Sequence, residues 1–356
     1  MPQFKFVAVQ YGDGKPSKVA KSTRSHAIRA GLQKTKRRSR NKAITLSLCS
    51  EAVGKDSLLG FKFLMDPVCS SCVDPFNSLP VPTNLQVDHL VKYLLFKFDN
   101  NLGTNDRTKA WFPYALRSTP MMHSTLAMAA ALWQADCPAL EKSIQVEGLR
   151  QKGEAMREVG ACLAQADSTH NHEIAFIIST MSTLVLVEVC SGDFETAKMH
   201  FKGAHNLFSS RGGRDSFKDQ FILCKSVNLA DIQVATALGQ ELIFPLMHPD
   251  QPELPPTILE HASHPSLHVS VADHDCSRIF IQLRQLLFAA QSLTISVDDQ
   301  RTLLNIVDES ILRHLYKNCV HLCDTDRRSR ALVLAAQVFM YVTLRQVPPE
   351  SPLVCR

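Results

Sequence analysis

Apolar positions recur with helical spacing through most of the chain, most clearly in two adjacent segments, 174–190 and 194–208. The first segment is almost wholly apolar or small, and the second carries one apolar stripe at helical spacing. That stripe consists of Phe194, Ala197, Phe201, Ala204 and Phe208. Between the segments, Ser191-Gly192-Asp193 is typical of a turn with an N-cap, and Arg211-Gly212-Gly213 is a typical helix end. The pattern predicts a helical hairpin in a soluble core.

A membrane span is a poor explanation of the apolar segment 174–190. The segment has only 17 residues, which is at the short limit for crossing a bilayer, and it contains four hydroxyl side chains and Glu188. Polar and charged groups are costly in the hydrocarbon region. We therefore expect a buried helix and no membrane contact.

The same periodicity predicts an all-α fold, an irregular multi-helix bundle or helical array over residues 83–346. Prolines and histidines concentrate at 245–275, which is predicted to be a surface loop, and residues 347–356 are predicted to be a tail. No strand-rich block is present in the sequence. Helices are predicted at 85–98, 120–133, 141–166, 217–225, 229–242, 277–292, 298–319 and 327–346.

The segment 141–166 is predicted to be an amphipathic helix. Its apolar side consists of Ile144, Leu149, Met156, Val159 and Leu163. A helix of this kind normally turns its apolar side toward the core.

Charge is strongly segregated along the chain. Residues 1–42 contain 12 Lys and Arg against one acid, a net charge of +11, whereas the remaining 27 bases and 33 acids sum to −6. Residues 1–45 are therefore predicted to be a basic arm, largely disordered without a partner. Residues 46–82 are predicted to be a linker that ends in a proline-rich brace at 74–82.

The basic arm is predicted to contact an anionic partner. Closely spaced cations on a flexible arm gain affinity for DNA by displacing its condensed counterions, without sequence preference. The string 34–40 also has the composition of a nuclear-import signal. A solubilising tail is the alternative. The candidate residues for DNA contact or import are Lys21, Arg24, Arg29, Lys34, Lys36, Arg37, Arg38 and Arg40.

Several short strings resemble the central signature of the fungal-specific transcription factor domain. They are Glu154-Ala155-Met156, Leu163, Gly192-Asp193, His200-Phe201-Lys202-Gly203-Ala204 and Arg211-Gly212-Gly213, in the family's order and spacing. The resemblance extends over roughly residues 4–340. It assigns structural roles to Asp193, His200, Gly203, Arg211, Gly212 and Gly213.

The resemblance implies a helical regulatory domain that acts on transcription in the nucleus. The partners it implies are DNA, contacted with low specificity or indirectly, and other transcription regulators. It also implies a small-molecule effector and a homodimer as further possibilities. A helical interaction scaffold or co-regulator without direct DNA binding is the alternative function.

The family's domain usually follows a six-cysteine binuclear zinc cluster, but the first cysteine of this chain is Cys49. The basic arm is similar to that of family members that lack the cluster. Cys69 and Cys72 make a single Cys-x2-Cys pair, which is a weak candidate for a metal site. Cys319 and Cys323 with His314 make a second weak candidate. We expect free thiols, no metal and no cofactor.

Enzyme motifs are missing from the sequence. It contains no Gly-x-Ser-x-Gly, no phosphate-binding loop and no Gly-x-Gly-x-x-Gly. The last two motifs also require strands, which the pattern does not predict. We therefore expect a protein that is not an enzyme.

Overall fold

Every element of regular structure in the part of the chain that the structure describes is a helix, which confirms the predicted all-α class. The computed structural model describes residues 78–97, 110–137, 139–164, 171–245, 252–264, 274–292, 294–316, 324–345, 347 and 351–354. All of these residues belong to one compact unit, Ser70–Arg356. The predictions for the basic arm and for linker residues 46–77 lie outside the described residues.

The helices follow the predicted periodicity closely. They are α1 (Leu85–Lys97), α2 (Trp111–Ala115), α3 (Thr119–Asp136), α4 (Lys142–Leu163), α5 (Asn171–Ser191), α6 (Phe194–Ser210), α7 (Gly213–Phe217), α8 (Phe221–Leu238), α9 (Pro256–Ala262), α10 (His274–Gln291), α11 (Val297–Tyr316) and α12 (Asp324–Phe339), and a π-helical turn (Met340–Leu344) follows. The predicted break between 217–225 and 229–242 is wrong, because α8 runs through it. The Ser226 hydroxyl donates to the Leu223 carbonyl at 2.8 Å, so this polar residue is satisfied inside the helix.

Helix α5 forms the centre of the fold. All of its residues from Ile174 to Val189 are buried, and it packs against α3, α4, α6 and α8. Helices α5 and α8 are long and apolar enough to cross a membrane, but 89% and 72% of their apolar windows are buried within the protein. This burial is typical of the core helices of a soluble protein and agrees with the prediction for 174–190.

Two glycines allow the central helices to approach closely. A Cβ atom added to Gly148 of α4 would lie 2.5 Å from the Cβ of Ala130 on α3. A Cβ added to Gly203 of α6 would lie 2.6 Å from the terminal methyl of Met181 on α5. A larger residue at position 148 would force α3 and α4 apart, because the Ala130 Cβ cannot move aside, whereas the flexible Met181 side chain can rotate away from position 203.

Helices α9 to α12 pack around a second core, which includes Ile279, Leu283, Val307, Ile311 and Val333. Helix α8 connects this core to the first one. Its Ile232 and Ala235 pack against Leu312 of α11. The Tyr341 hydroxyl lies 3.2 Å from the Thr236 hydroxyl of α8.

The predicted loop at 245–275 contains a helix, so that prediction is wrong in part. Pro255 and Pro256 occupy the start of α9, where the missing N–H of proline costs nothing. The predicted tail is also partly packed, because Leu353 and Val354 lie against the second core and Ser351 is 8% exposed.

The predicted apolar side of α4 is wrong for three of its five residues. Ile144 and Val159 are buried, whereas Leu149, Met156 and Leu163 are 68%, 41% and 39% exposed. The helix packs through a different side, which brings Gly148 and the polar residues Glu147 and Gln151 into the interior. Two apolar sides on one helix cannot be ranked by periodicity alone.

We expect Gly148→Ala to lower the free energy of unfolding by about 1–3 kcal/mol, because the new methyl overpacks the contact with Ala130. Gly153→Ala is the matched control on the same helix, since its Cβ would meet nothing within 4 Å. The control should stabilise by about 0.5–1 kcal/mol through helix propensity. Chemical denaturation measures both changes, and equal effects of the two substitutions would contradict the close approach of α3 and α4.

Candidate functional site

The turn between α5 and α6 is built as the sequence predicts. The carboxylate of Asp193 accepts a hydrogen bond from the Thr196 backbone N–H at 3.1 Å, which makes it the N-cap of α6. Hydrogen bonds from Thr196 hold the pKa of Asp193 below its ordinary value. Gly192 has a φ of 78°, and a Cβ there would lie 3.2 Å from Pro352.

A buried ion cluster joins three helices beside this turn. Glu188 of α5 is 1% exposed, and the Lys152 ammonium of α4 lies 2.6 Å from its Oε1 and donates to its Oε2 at 2.7 Å. His200 of α6 places Nε2 at 3.4 Å from Oε1 without a well-directed hydrogen bond. The cluster of Lys152, Glu188 and His200 therefore ties α4, α5 and α6 together.

The electrostatics of the cluster favour an ionised Glu188. Burial raises the pKa of Glu188, but the contacts with His200 and Lys152 outweigh this effect and hold the pKa below its ordinary value of 4.5. Glu188 also lies in the last turn of α5, where the helix dipole disfavours a carboxylate. The two basic side chains compensate for both costs.

The remaining signature residues shape the far end of α6. Arg211 is the C-cap, and its N–H donates to the Leu207 carbonyl at 3.2 Å. Gly212 and Gly213 have φ values of 93° and 58°, in the left-handed region that favours glycine. These three residues lie at the opposite end of α6 from Asp193, roughly 25 Å away along the helix, so the signature does not converge on one pocket.

A second charged residue anchors the segment after α8. Asp231 is 2% exposed and accepts backbone N–H groups from Ile243 and Phe244 at 3.1 and 2.8 Å. Burial raises the pKa of Asp231 to about 6, although both hydrogen bonds act in the opposite direction. Phe244 is thereby held against Phe201 and Phe208 of α6.

Sequence reasoning noted Glu188 but missed its partner. A carboxylate within an apolar run is a signal that a buried cation exists nearby. Lys152 lies 36 positions earlier in the chain, and nothing in the local pattern distinguishes it from other surface lysines. The tertiary packing of α4 on α5 makes the pair.

The predicted DNA and import residues, from Lys21 to Arg40, all lie outside the described residues. So do Cys69, Cys72, Cys319 and Cys323. Within the described ranges, no group of three or more His, Cys, Asp or Glu side chains is arranged to hold a metal ion. The five cysteines that the structure describes are free thiols: Cys137, Cys162, Cys190, Cys224 and Cys276.

We expect Glu188→Gln to lower the free energy of unfolding by about 3 kcal/mol at neutral pH, because Lys152 then lacks its carboxylate. A carboxylate with a lowered folded-state pKa stabilises the fold above its unfolded-state pKa, and this contribution disappears as the pH falls through the folded-state pKa. The difference in free energy of unfolding between wild type and variant should therefore become smaller below about pH 4.5.

Denaturation curves at neutral and acidic pH measure this gap. Glu241→Gln is the matched control, because Glu241 is exposed, and we expect it to change stability by no more than about 0.5 kcal/mol. If Glu188→Gln lowered the free energy of unfolding equally at neutral and acidic pH, this result would contradict a stabilising ion pair at Glu188.

Comparison with known proteins agrees with the position of the hairpin signature. A family model described as "Fungal specific transcription factor domain" matches residues 85–255. The match begins at the first residue of α1 and ends immediately before α9. Searches of curated proteins and of solved structures find no match to the chain. Residues 85–255, which contain α1 to α8 and the hairpin, therefore belong to the fungal specific transcription factor domain family.

Proposed function

We propose that the chain is a transcription regulator that acts in the nucleus, with residues 1–45 as an arm that contacts DNA. The observation that supports this proposal best is the combination of a transcription factor family region at 85–255 with an arm whose first 42 residues carry a net charge of +11. The family is not an enzyme family, and the proposal includes no catalytic step.

The DNA contact is assigned to the arm because the rest of the chain is a poor partner for a polyanion. Residues 43–356 carry a net charge of −6. Several bases of the described body already face carboxylates, as Lys97 does with Asp136 at 2.7 Å and Arg313 with Glu309 at 2.7 Å. The arm has only one acid among its first 42 residues.

The contact proposed for the arm carries little sequence preference. Lysine and arginine side chains on a flexible segment bind phosphates, and phosphate contacts position a protein on DNA without reading bases. Selection of promoters then depends on partners of the helical body. Other transcription regulators are the partners proposed for the body, while a small-molecule effector and a homodimer stay predictions from the sequence.

We expect the full chain to bind a short DNA duplex with a steep dependence on salt. Engagement of eight arm residues predicts a loss of affinity of about a thousandfold or more between about 50 and 200 mM salt. Replacing Lys36, Arg37 and Arg38 by Gln should reduce the slope of log K against log salt by about 2.7. Fluorescence anisotropy across a salt series measures both values.

The matched control is a triple replacement of exposed bases in the body, Lys198→Gln, Lys202→Gln and Arg214→Gln, which should leave the slope unchanged. A variant that lacks residues 1–45 should lose binding altogether. Undiminished binding by that variant would contradict the proposal. Absence of binding by the full chain at low salt would favour a co-regulator without direct DNA contact.

We expect the string 34–40 to direct nuclear import. Replacing Lys34, Lys36, Arg37, Arg38 and Arg40 by Ala should move a fluorescently tagged chain from the nucleus to the cytoplasm, because import receptors recognise clustered basic residues. Microscopy of intact cells gives the ratio of nuclear to cytoplasmic signal. The triple replacement at positions 198, 202 and 214 should keep the wild-type ratio, and a nuclear alanine variant would show that another segment carries the signal.

A further inference from the structure

The segment that follows α8 lies across α8 and α6. We call this segment, residues 239–245, the strap. Gly239 ends α8 in the left-handed region, with a φ of 63°, and the chain then turns back along the helix. Leu242 and Phe244 pack against buried residues, whereas Ile243 between them is 51% exposed. The strap therefore rests on the helices through alternate side chains.

The strap covers an aromatic surface of α6. The centroid of the Phe244 ring lies 6.3 Å from that of Phe201 and 5.5 Å from that of Phe208, and both contacts are edge-to-face. It also lies 4.9 Å from the centroid of the His205 ring. Phe201 and Phe208 are 2% and 1% exposed. If the strap moved away, this side of α6 would face solvent.

A single carboxylate of α8 holds the strap in place. Asp231 is 2% exposed, and its Oδ1 accepts the Ile243 N–H at 3.1 Å while its Oδ2 accepts the Phe244 N–H at 2.8 Å. An ionised carboxylate has two accepting oxygens, whereas a protonated carboxyl group has one oxygen that donates. The ionised form can therefore make both bonds to the strap, and the neutral form keeps one of them.

The charge of an ionised Asp231 has no paired cation in the described part of the chain. His205 of α6 and Arg313 of α11 are the charged or titratable side chains that favour the ionised form. The His205 ring packs on Phe244, and the Arg313 guanidinium is paired with Glu309 at 2.7 Å. Both act on Asp231 at a distance and neither neutralises it.

The other elements around this part of α8 are apolar where they meet it. Helix α5 packs there through Val185 and Val189. Helix α7 contacts the first turn of α8, where Cys224 lies against the Phe217 carbonyl. The strap itself carries one charged residue, Glu241, and that residue is exposed.

Burial without a paired cation makes the ionised form of Asp231 costly under a closed strap. It raises the pKa of Asp231 from 3.8 to about 6, although both hydrogen bonds act in the opposite direction. Opening the strap admits water to the carboxylate and returns its pKa toward the ordinary value. The closed form therefore binds the proton more tightly than the open form does. Protonation favours closing, and opening becomes easier as the pH rises through about 6.

We propose that the strap is a proton-sensitive lid over the aromatic surface of α6, and that it opens more readily when Asp231 is ionised. The ionised carboxylate gains hydration when the lid opens, whereas the neutral carboxyl group has no charge to hydrate. A fall in pH therefore tightens the lid and a rise in pH loosens it. The lid is built from α6, α8 and the strap, so the inference does not depend on the DNA contact proposed for the arm.

Hydrogen–deuterium exchange of the full chain tests the proposal, because the Ile243 and Phe244 amides both donate to Asp231. Their protection factors, corrected for intrinsic exchange at each pH, report the opening equilibrium of the strap. Between about pH 5 and about pH 7.5, we expect these protection factors to fall about tenfold, as the two pKa values of Asp231 require. Equal protection at the two pH values would overturn the proposal.

Three variants assign the pH dependence to one residue. Asp231→Asn resembles the neutral carboxyl group, so its protection factors should change less than about twofold between the same pH values. Glu241→Gln, which removes the exposed charge of the strap, and His205→Gln, which removes the neighbouring imidazole, should keep the wild-type change. A pH dependence that survives in Asp231→Asn, or that disappears in His205→Gln, would overturn the proposal.

The amides of Ile177 and Leu184 in the centre of α5 separate opening of the lid from unfolding of the whole domain, since both residues are buried. We expect their protection factors to change much less with pH than those of the strap. An equal change in α5 and in the strap would mean that the whole fold responds, and this result would contradict a local lid. The comparison uses the wild-type chain, so it stands even if Asp231→Asn does not fold.

Discussion

The burial of α5 from Ile174 to Val189 is the constraint on which the rest of the fold depends. A helix that is apolar on all sides must be covered on all sides, so α3, α4, α6 and α8 surround it. The four hydroxyl side chains between Ser179 and Thr183 are fully buried. Thr180 and Thr183 donate to the carbonyls of Phe176 and Ser179, both at 2.7 Å. The Glu188 carboxylate is instead contacted by side chains of neighbouring helices, Lys152 of α4 and His200 of α6.

Periodicity and local end signals predict the helices because both are properties of single segments. The hairpin is confirmed down to the Asp193 cap and the left-handed glycines Gly212 and Gly213. These signals do not predict which distant residues contact each other in the fold, as the pair of Lys152 and Glu188 shows. They also do not identify the side of α4 that faces the core, because the helix has two apolar sides and the buried one is set by tertiary packing, as in the contact of Gly148 with Ala130.

The signature residues of the family region act on the shape of the hairpin. Asp193 begins α6, Gly203 lets α6 approach α5, and Gly212 turns the chain at its end. His200 lies beside the ion pair of Lys152 and the buried Glu188, with its Nε2 3.4 Å from Glu188 Oε1. These four residues fix the ends of the hairpin helices and their packing against each other.

The end of the family region at residue 255 is a boundary in sequence rather than in packing. Helix α8 lies inside that region, yet Ile232 and Ala235 are covered by Leu312 of α11, and Thr236 is hydrogen-bonded to Tyr341. Removing the later helices would expose an apolar stripe on a helix that also contacts α5. Helices α9 to α12 are therefore part of the same folded unit, and they cover a side of α8 that the family region cannot cover by itself.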